Sequence, residues 1–202
     1  VPIDVSFDFR TDSKGKDPDS ASNALKAMQI ELWSKPLPNG EIFQLTDKGP
    51  GPYLTYTGGM RNHYLSSDSI ANSYGNRKRL SSLINDIEPS LVSSFRDLNS
   101  TIGAFIIFPG NRIDGKATIN GERGFNYLIA DRFDLTLECI RRHYLDIDNP
   151  IGATLNRYHD FFSLFNNFKS YVDFFLLNDL VSNDYSVVKL FNIITEVFVA
   201  SP

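Results

Sequence analysis

The chain has 202 residues, of which 42% are hydrophobic and 22% charged, as in an ordinary soluble globular protein with one sizeable core. The net charge of −4 and the pI near 5.3 disfavour binding of duplex nucleic acid, which usually requires a basic surface. The single cysteine excludes an intrachain disulfide and a cysteine-based zinc site. No apolar run is long enough to span a membrane, so we expect a cytoplasmic protein.

The first half of the chain is predicted to supply a sheet. Apolar and polar residues alternate over residues 3–9, as in a half-buried strand, and the polar residues 10–22 are typical of a loop. An apolar face predicts a helix over residues 24–33. The apolar run at residues 102–108 indicates a central strand that is buried on both faces. Short strands are predicted at residues 41–46, 53–56 and 64–65. Helices are predicted at residues 69–74 and 80–95, the second interrupted near Pro89.

The second half of the chain is predicted to be helical. One long helix is expected from Asn120, a good N-terminal cap, to about Tyr144. Two more helices are expected at residues 153–165 and 168–180, where aromatic rings recur at helical spacing and indicate core. Residues 187–199 are expected to form a helix and a strand. The predicted core stripe of the long helix is Phe125, Leu128, Ile129, Phe133, Leu137, Ile140 and Tyr144.

These elements predict a single α+β domain over residues 1–202, strand-rich at 1–108 and helix-rich at 120–202. We expect a mainly antiparallel or mixed sheet from the N-terminal half, packed against a C-terminal helical layer.

A glycine-bearing loop at residues 109–123 leads from the predicted central strand into the long helix. Glycines let backbone N–H groups approach a ligand, and arginines offer paired donors to phosphate or carboxylate. The spacing matches neither a P-loop nor a dinucleotide-binding fingerprint, and arginines that pair with local acids would give the same composition. The expected ligand-binding residues are Asn111, Arg112, Lys116, Asn120, Arg123, Arg132 and Arg141 in and after this loop, with Arg10, Lys16 and Lys35 elsewhere.

Carboxylates on the long helix are candidates for acid–base chemistry. Asp131 and Glu138 are the expected catalytic groups, because arginines nearby would position a substrate. A surface ladder of ion pairs would need the same residues. Cys139 borders the apolar stripe and is expected to be an inert buried thiol. The histidines His63, His143 and His159 have no metal-ligand spacing, so no metal site is predicted.

Several strings in this chain resemble a known group of sequences. They are KGKDPDS at residues 14–20, LWSKPLPNG at 32–40, FPGNRID at 108–114, TIN at 118–120, ADRFDLTLECIRRHY at 130–144 and YVDFFLL at 171–177. Together they resemble an uncharacterised family of bacterial hypothetical proteins that is described only as a domain of unknown function. The resemblance implies kinship, but it brings no activity, ligand or cofactor.

Two functions from different classes are expected. The first is a cytoplasmic domain that binds an anionic, nucleotide- or phosphate-like small molecule at the strand–loop–helix junction of residues 109–142, as a transferase or hydrolase would. The alternative is a non-catalytic protein-interaction module, for instance of a bacterial defence or toxin–antitoxin system, which would dock a protein partner. A third reading is single-stranded nucleic acid binding through arginines and tyrosines, which the acidic pI disfavours.

Overall fold

Four antiparallel strands form a sheet in the order β1-β2-β3-β4. The computed structural model describes residues 2–49, 51–56, 63–69 and 85–190. Its strands are β1 (Leu45–Thr46), β2 (Thr55–Tyr56), β3 (His63–Ser69) and β4 (Phe105–Pro109). In the β3–β4 ladder Ser66 lies opposite Phe108 and Asp68 opposite Ile106. Opposite residues share a face of the sheet, so two polar side chains of β3 lie on the same face as two buried apolar ones.

Short helices precede the sheet, connect β3 to β4, and follow the sheet. The helices of the described residues are α1 (Arg10–Ser13), α2 (Pro18–Ala21), α3 (Asn23–Trp33), α4 (Pro89–Asn99), α5 (Ile119–Phe125), α6 (Phe133–Tyr144), α7 (Gly152–Arg157), α8 (His159–Ser163) and α9 (Phe168–Phe174). The same described residues include 3-10 turns at Ile102–Ala104 and Asn178–Leu180. The predicted α+β class is confirmed, and none of the helices in the described residues is long and apolar enough to cross a membrane.

The main core joins the sheet to the C-terminal helices. Phe43, which is fully buried, has its ring centroid 6.2 Å from that of Phe161 and 5.4 Å from that of Phe174. Such tilted and edge-on ring pairs add to the stabilisation from buried area. A smaller cluster packs the N-terminal segment on α3; its members are Phe9, Leu25, Met28 and Ile102.

The prediction of a strand at residues 3–9 is wrong. The segment forms an isolated bridge between Asp8 and Thr101 and a few backbone hydrogen bonds to residues 100–103, but no strand. The Asp4 carboxylate accepts a hydrogen bond from the Ser6 N–H at 3.0 Å, which turns the chain locally. Alternating polarity therefore did not signal a strand here, because only Phe9 of the segment's apolar residues is fully buried.

The predicted long helix is two helices, α5 and α6. Ala130 and Asp131 between them have φ values of 51° and 66°, a left-handed conformation that cannot continue an α-helix. The Thr118 hydroxyl, not Asn120, caps α5 by accepting the Gly121 N–H at 3.1 Å. The break leaves Phe125 exposed at 87%.

The predicted stripe is therefore only partly correct. Ile129, Phe133, Leu137 and Ile140 are buried as predicted, whereas Leu128 is exposed. The four buried residues hold α6 and the turn before it against the core.

Other predictions are borne out in part. The helix at residues 24–33 is confirmed as α3, which Ser22 caps through the Leu25 N–H at 3.0 Å. Pro89 begins α4 rather than interrupting a helix. Of the central strand predicted at residues 102–108, residues 102 and 106–108 are buried, whereas 103–105 are not, and β4 is the last strand in the order of the described sheet rather than a central one. The predictions for residues 70–84 and 191–199 lie outside the described residues.

Candidate functional site

Strand β3 carries four consecutive polar residues, 66–69, although it pairs with an apolar strand. Side chains from α2 and α5 converge on these residues, and the backbone carbonyl of Asp131, in the turn before α6, joins them through Arg123. We call this group the polar cluster; its members are Asp19, Ser66, Ser67, Asp68, Asn120, Arg123 and Asp131.

Arg123 is the fully buried cation of the polar cluster. Its Nη1 donates to Asp68 Oδ2 at 2.8 Å, and its Nε donates to Thr136 Oγ1 at 2.9 Å. Its Nη2 donates to the carbonyl oxygens of Ser69 and Asp131, each at 3.4 Å. One guanidinium therefore ties α5 to β3, α6 and the turn between the two helices.

Aromatic rings enclose the same guanidinium. Its Cζ lies 5.6 Å from the ring centroid of Phe108 and 5.8 Å from that of Phe133, and such cation–π contacts gain strength when the cation is desolvated. These contacts, together with the complete burial of Arg123, give it a structural role. They do not support the expected role in ligand binding.

Asp68 receives this guanidinium on one carboxylate oxygen and the Ser69 N–H at 2.8 Å on the other. Burial raises the pKa of Asp68, and the charge of Asp131 raises it further, while Arg123 acts in the opposite direction. The ion pair with Arg123 thus stabilises the negative charge of Asp68, which desolvation disfavours.

Asp19 reaches the same strand from α2. Its Oδ2 accepts the Ser67 N–H at 2.8 Å. Burial raises the pKa of Asp19 to about 7, with smaller contributions from Asp17 and Asp68, whereas hydrogen bonds from Ser67 oppose the rise. A carboxyl group with a pKa in this range changes its protonation state near neutral pH.

Both ends of the loop at residues 110–118 lie against one place on β3. At its start the Gly110 N–H donates to the Tyr64 carbonyl at 2.6 Å, and Asn111 Oδ1 accepts the Tyr64 N–H. Just after its end, Asn120 Nδ2 donates to the Ser66 carbonyl at 3.3 Å and to the Ser66 hydroxyl at 3.2 Å. A Cβ atom at Gly110 would lie 3.2 Å from Ser66 Cβ, so the close approach favours glycine.

The cations of this loop face solvent. Arg112 and Lys116 are exposed, and no carboxylate in the described parts of the chain forms an ion pair with either. Arg157 of α7 is partly buried and lies close to this loop, since its Nη2 donates to the Ala117 carbonyl at 2.8 Å. Asp114 is the exposed acid of the same loop.

The remaining charged groups of α6 neutralise one another. Arg132 pairs with the buried Asp134. Glu138 accepts from Arg141 Nε and from Arg142 Nε, each at 2.8 Å. The Arg141 hydrogen bond lowers the pKa of Glu138, so this carboxylate is a weaker base than an ordinary glutamate.

Three expected binding residues lie on other elements. Arg10 pairs with Asp97 at 2.8 Å, and Lys16 is exposed. The Lys35 ammonium lies 4.7 Å from the ring centroid of Phe174. The structure therefore brings Asn120, Arg123 and the Asp131 carbonyl together at β3. Within the described residues, Arg10 and Lys35 make their contacts elsewhere.

Sequence reasoning missed the carboxylates of Asp19 and Asp68 and the cation of Arg157. The signal for Asp68 was the polar string at residues 66–69, which is unusual in a strand with a buried partner. Asp19 contacts β3, and Arg157 contacts the 110–118 loop, only through tertiary contacts. No local sequence pattern reveals such contacts.

The predicted burial of the single thiol is confirmed. Cys139 is buried, and burial raises its pKa to about 11. Within residues 2–49, 51–56, 63–69 and 85–190, no group of three or more His, Cys, Asp or Glu side chains is placed to hold a metal ion.

These features define an α+β protein with a buried ion-pair network on a sheet strand, beside a loop that presents exposed cations. Residues 3–199 match the Family of unknown function (DUF6994), and the chain belongs to that family. No curated protein matches the chain. No solved structure matches it either.

Proposed function

We propose that this protein binds an anionic, nucleotide- or phosphate-like small molecule at the loop of residues 110–118. One observation supports this most: Arg112 and Lys116 are exposed and have no ion-pair partner among the described residues, in a loop with both ends bonded to β3. The arginines deeper in the junction already pair with carboxylates.

Fixing the two ends of a loop reduces the entropy that a ligand must remove when it binds. Arginine suits phosphate and carboxylate because its planar fork donates two parallel hydrogen bonds, and lysine adds a mobile positive charge. Arg157, which donates to the loop backbone at Ala117, supplies a third positive charge close to the loop. The three cations together favour an anion over a neutral ligand.

A transferase or hydrolase acting at this place would also need a proton acceptor. Asp131, in the polar cluster beside α5, is our candidate base. Glu138 is the weaker candidate, because two arginines already occupy its oxygens.

The experiment is calorimetric titration at low ionic strength with inorganic phosphate, adenosine 5′-monophosphate and glucose 6-phosphate. Arg112→Ala/Lys116→Ala is expected to weaken binding by at least about tenfold, because each charge-assisted hydrogen bond contributes about 1.5–3 kcal/mol. The matched control is Lys48→Ala/Arg96→Ala, which removes the same charge from other exposed positions. Equal affinity for the two double variants would contradict the proposal.

The alternative, a protein-interaction module, has one observation in its favour. Phe125, Tyr127 and Leu128 are 87%, 74% and 52% exposed in the turn between α5 and α6, and contiguous exposed apolar residues often mark interfaces. Under this alternative, Phe125→Ser/Tyr127→Ser would abolish co-purification of a defined protein partner, whereas the control Leu176→Ser would retain it. If the partner still co-purifies with the Phe125→Ser/Tyr127→Ser double variant, this alternative is contradicted.

A further inference from the structure

Helix α2 is held to the edge of β3 by a carboxylate. Strand β2 pairs with only the first two residues of β3, and the next N–H along this edge, from Leu65, donates to the Leu54 carbonyl at 2.9 Å. The following edge N–H, from Ser67, donates instead to Asp19 Oδ2 at 2.8 Å. Asp19 thus replaces a strand as the partner of this edge.

Other acids surround Asp19. Asp17 caps the same helix by accepting the Asp19 N–H at 3.0 Å, and it also accepts the Tyr53 hydroxyl at 2.9 Å. From β3 the charge of Asp68 acts on Asp19. The guanidinium of Arg123 pairs with Asp68, and no cation in the described part of the chain pairs with Asp19.

An ionised Asp19 would therefore be a partly buried charge that faces like charges and has no counterion among the described residues. Such a charge is unstable in a folded protein and is relieved either by taking up a proton or by moving into water. The protonated acid still accepts the Ser67 N–H through its carbonyl oxygen, and it feels no repulsion from Asp17 or Asp68.

We propose that Asp19 is a proton-operated latch, which holds α2 against the edge of β3 while it is protonated and loosens α2 when it ionises. The latch concerns the contact between α2 and β3 and does not depend on the ligand proposed above.

The sign of the pH dependence follows from the direction of the shift. We call the state in which α2 contacts β3 the closed form, and the state in which α2 has moved away the open form. Asp19 binds its proton more tightly in the closed form than in the open form, where it has an ordinary aspartate pKa near 4. Burial in the closed form raises the pKa of Asp19 to about 7. The closed form is therefore favoured fully at low pH and loses this advantage as the pH rises from about 4 to about 7. A difference of about three pKa units corresponds to a change on the order of 1000-fold in the closed-to-open ratio.

The test is NMR on the full chain between pH 4 and pH 8.5. We expect the Asp19 carboxyl carbon to titrate near neutral pH. We also expect the protection of the Ser67 amide against hydrogen exchange, corrected for base catalysis, to fall at least tenfold from pH 5.5 to pH 8. The Leu65 amide, which donates to a backbone carbonyl, should keep its protection and serves as the internal control.

Asp19→Asn is the matched variant, because its amide oxygen accepts the same N–H and has no charge to gain. Its Ser67 protection should be independent of pH. Titration of Asp19 below pH 5, or loss of Ser67 protection that is equal in the variant, would overturn the latch. If the variant does not fold, the wild-type chain decides: Ser67 protection that does not fall relative to Leu65 as Asp19 titrates would overturn the latch.

Discussion

Replacing Arg123 with methionine tests the network that organises the polar cluster. Methionine keeps most of the length and apolar surface of arginine but removes the charge and all donors. Asp68 would lose its ion-pair partner, and Thr136 would lose a hydrogen bond from the guanidinium. Removing one partner of a buried ion pair typically costs about 3–5 kcal/mol. The Asp68 side chain retains 25% of its exposure and so some contact with water, which places the expected loss near the lower limit, about 3 kcal/mol.

The assay is equilibrium unfolding in urea, followed by circular dichroism, for the wild type and Arg123→Met. The control Lys169→Met breaks an exposed ion pair with Asp173 and should leave the midpoint nearly unchanged, because such pairs contribute little. Arg123→Met/Asp68→Asn should recover part of the lost stability, since the uncompensated carboxylate is then gone. If Arg123→Met unfolds within about 0.5 kcal/mol of the wild type, an amount typical of neutral surface changes, the buried cation does not hold these elements together.

Three further predictions concern Tyr171, Cys139 and Glu138. The Tyr171 hydroxyl is buried without a hydrogen-bond partner among the described residues, so Tyr171→Phe should raise the free energy of unfolding by about 0.5–1 kcal/mol; a clear loss of stability in the thermal melt would refute this. Because burial raises the pKa of Cys139 to about 11, a thiol-specific disulfide reagent should react quickly only after denaturation, and rapid labelling of the native protein would count against it. Hydrogen bonds from Arg141 lower the pKa of Glu138, so its contribution to stability is present above about pH 4.5, the ordinary pKa of glutamate, and is lost as the pH falls through the lowered value. The difference in melting temperature between wild type and Glu138→Gln should therefore narrow on acidification, and a constant difference would contradict it.

Local patterns predicted those elements whose stability is local. Ser22 caps α3 where the periodic apolar residues begin, and the apolar run of β4 is buried. The prediction of one long helix was wrong, because the interruption between α5 and α6 depends on tertiary contacts. The buried side chain of Arg123 reaches the Asp131 carbonyl and Asp68 on β3, and only in that setting is a left-handed Asp131 stabilised.

The candidate site shows the same limit. Asn120 and Arg123 were singled out from the sequence, and the structure places both against β3. Their partners, Ser66 and Asp68, lie more than fifty positions away along the chain. An arginine beside glycines gives the same sequence signal whether it binds a ligand or a buried carboxylate. The two roles differ only in what the folded chain places beside the guanidinium.

The binding proposal is tested most directly by mapping ligand contacts with NMR. Inorganic phosphate and adenosine 5′-monophosphate would be titrated into isotope-labelled protein at low ionic strength, while backbone amides and the Arg112 guanidinium are observed. The proposal predicts saturable shifts concentrated at residues 111–117 and at Arg157, which weaken as salt is added. Shifts that are absent from this loop, while Arg112 remains unperturbed at saturating ligand, would contradict it.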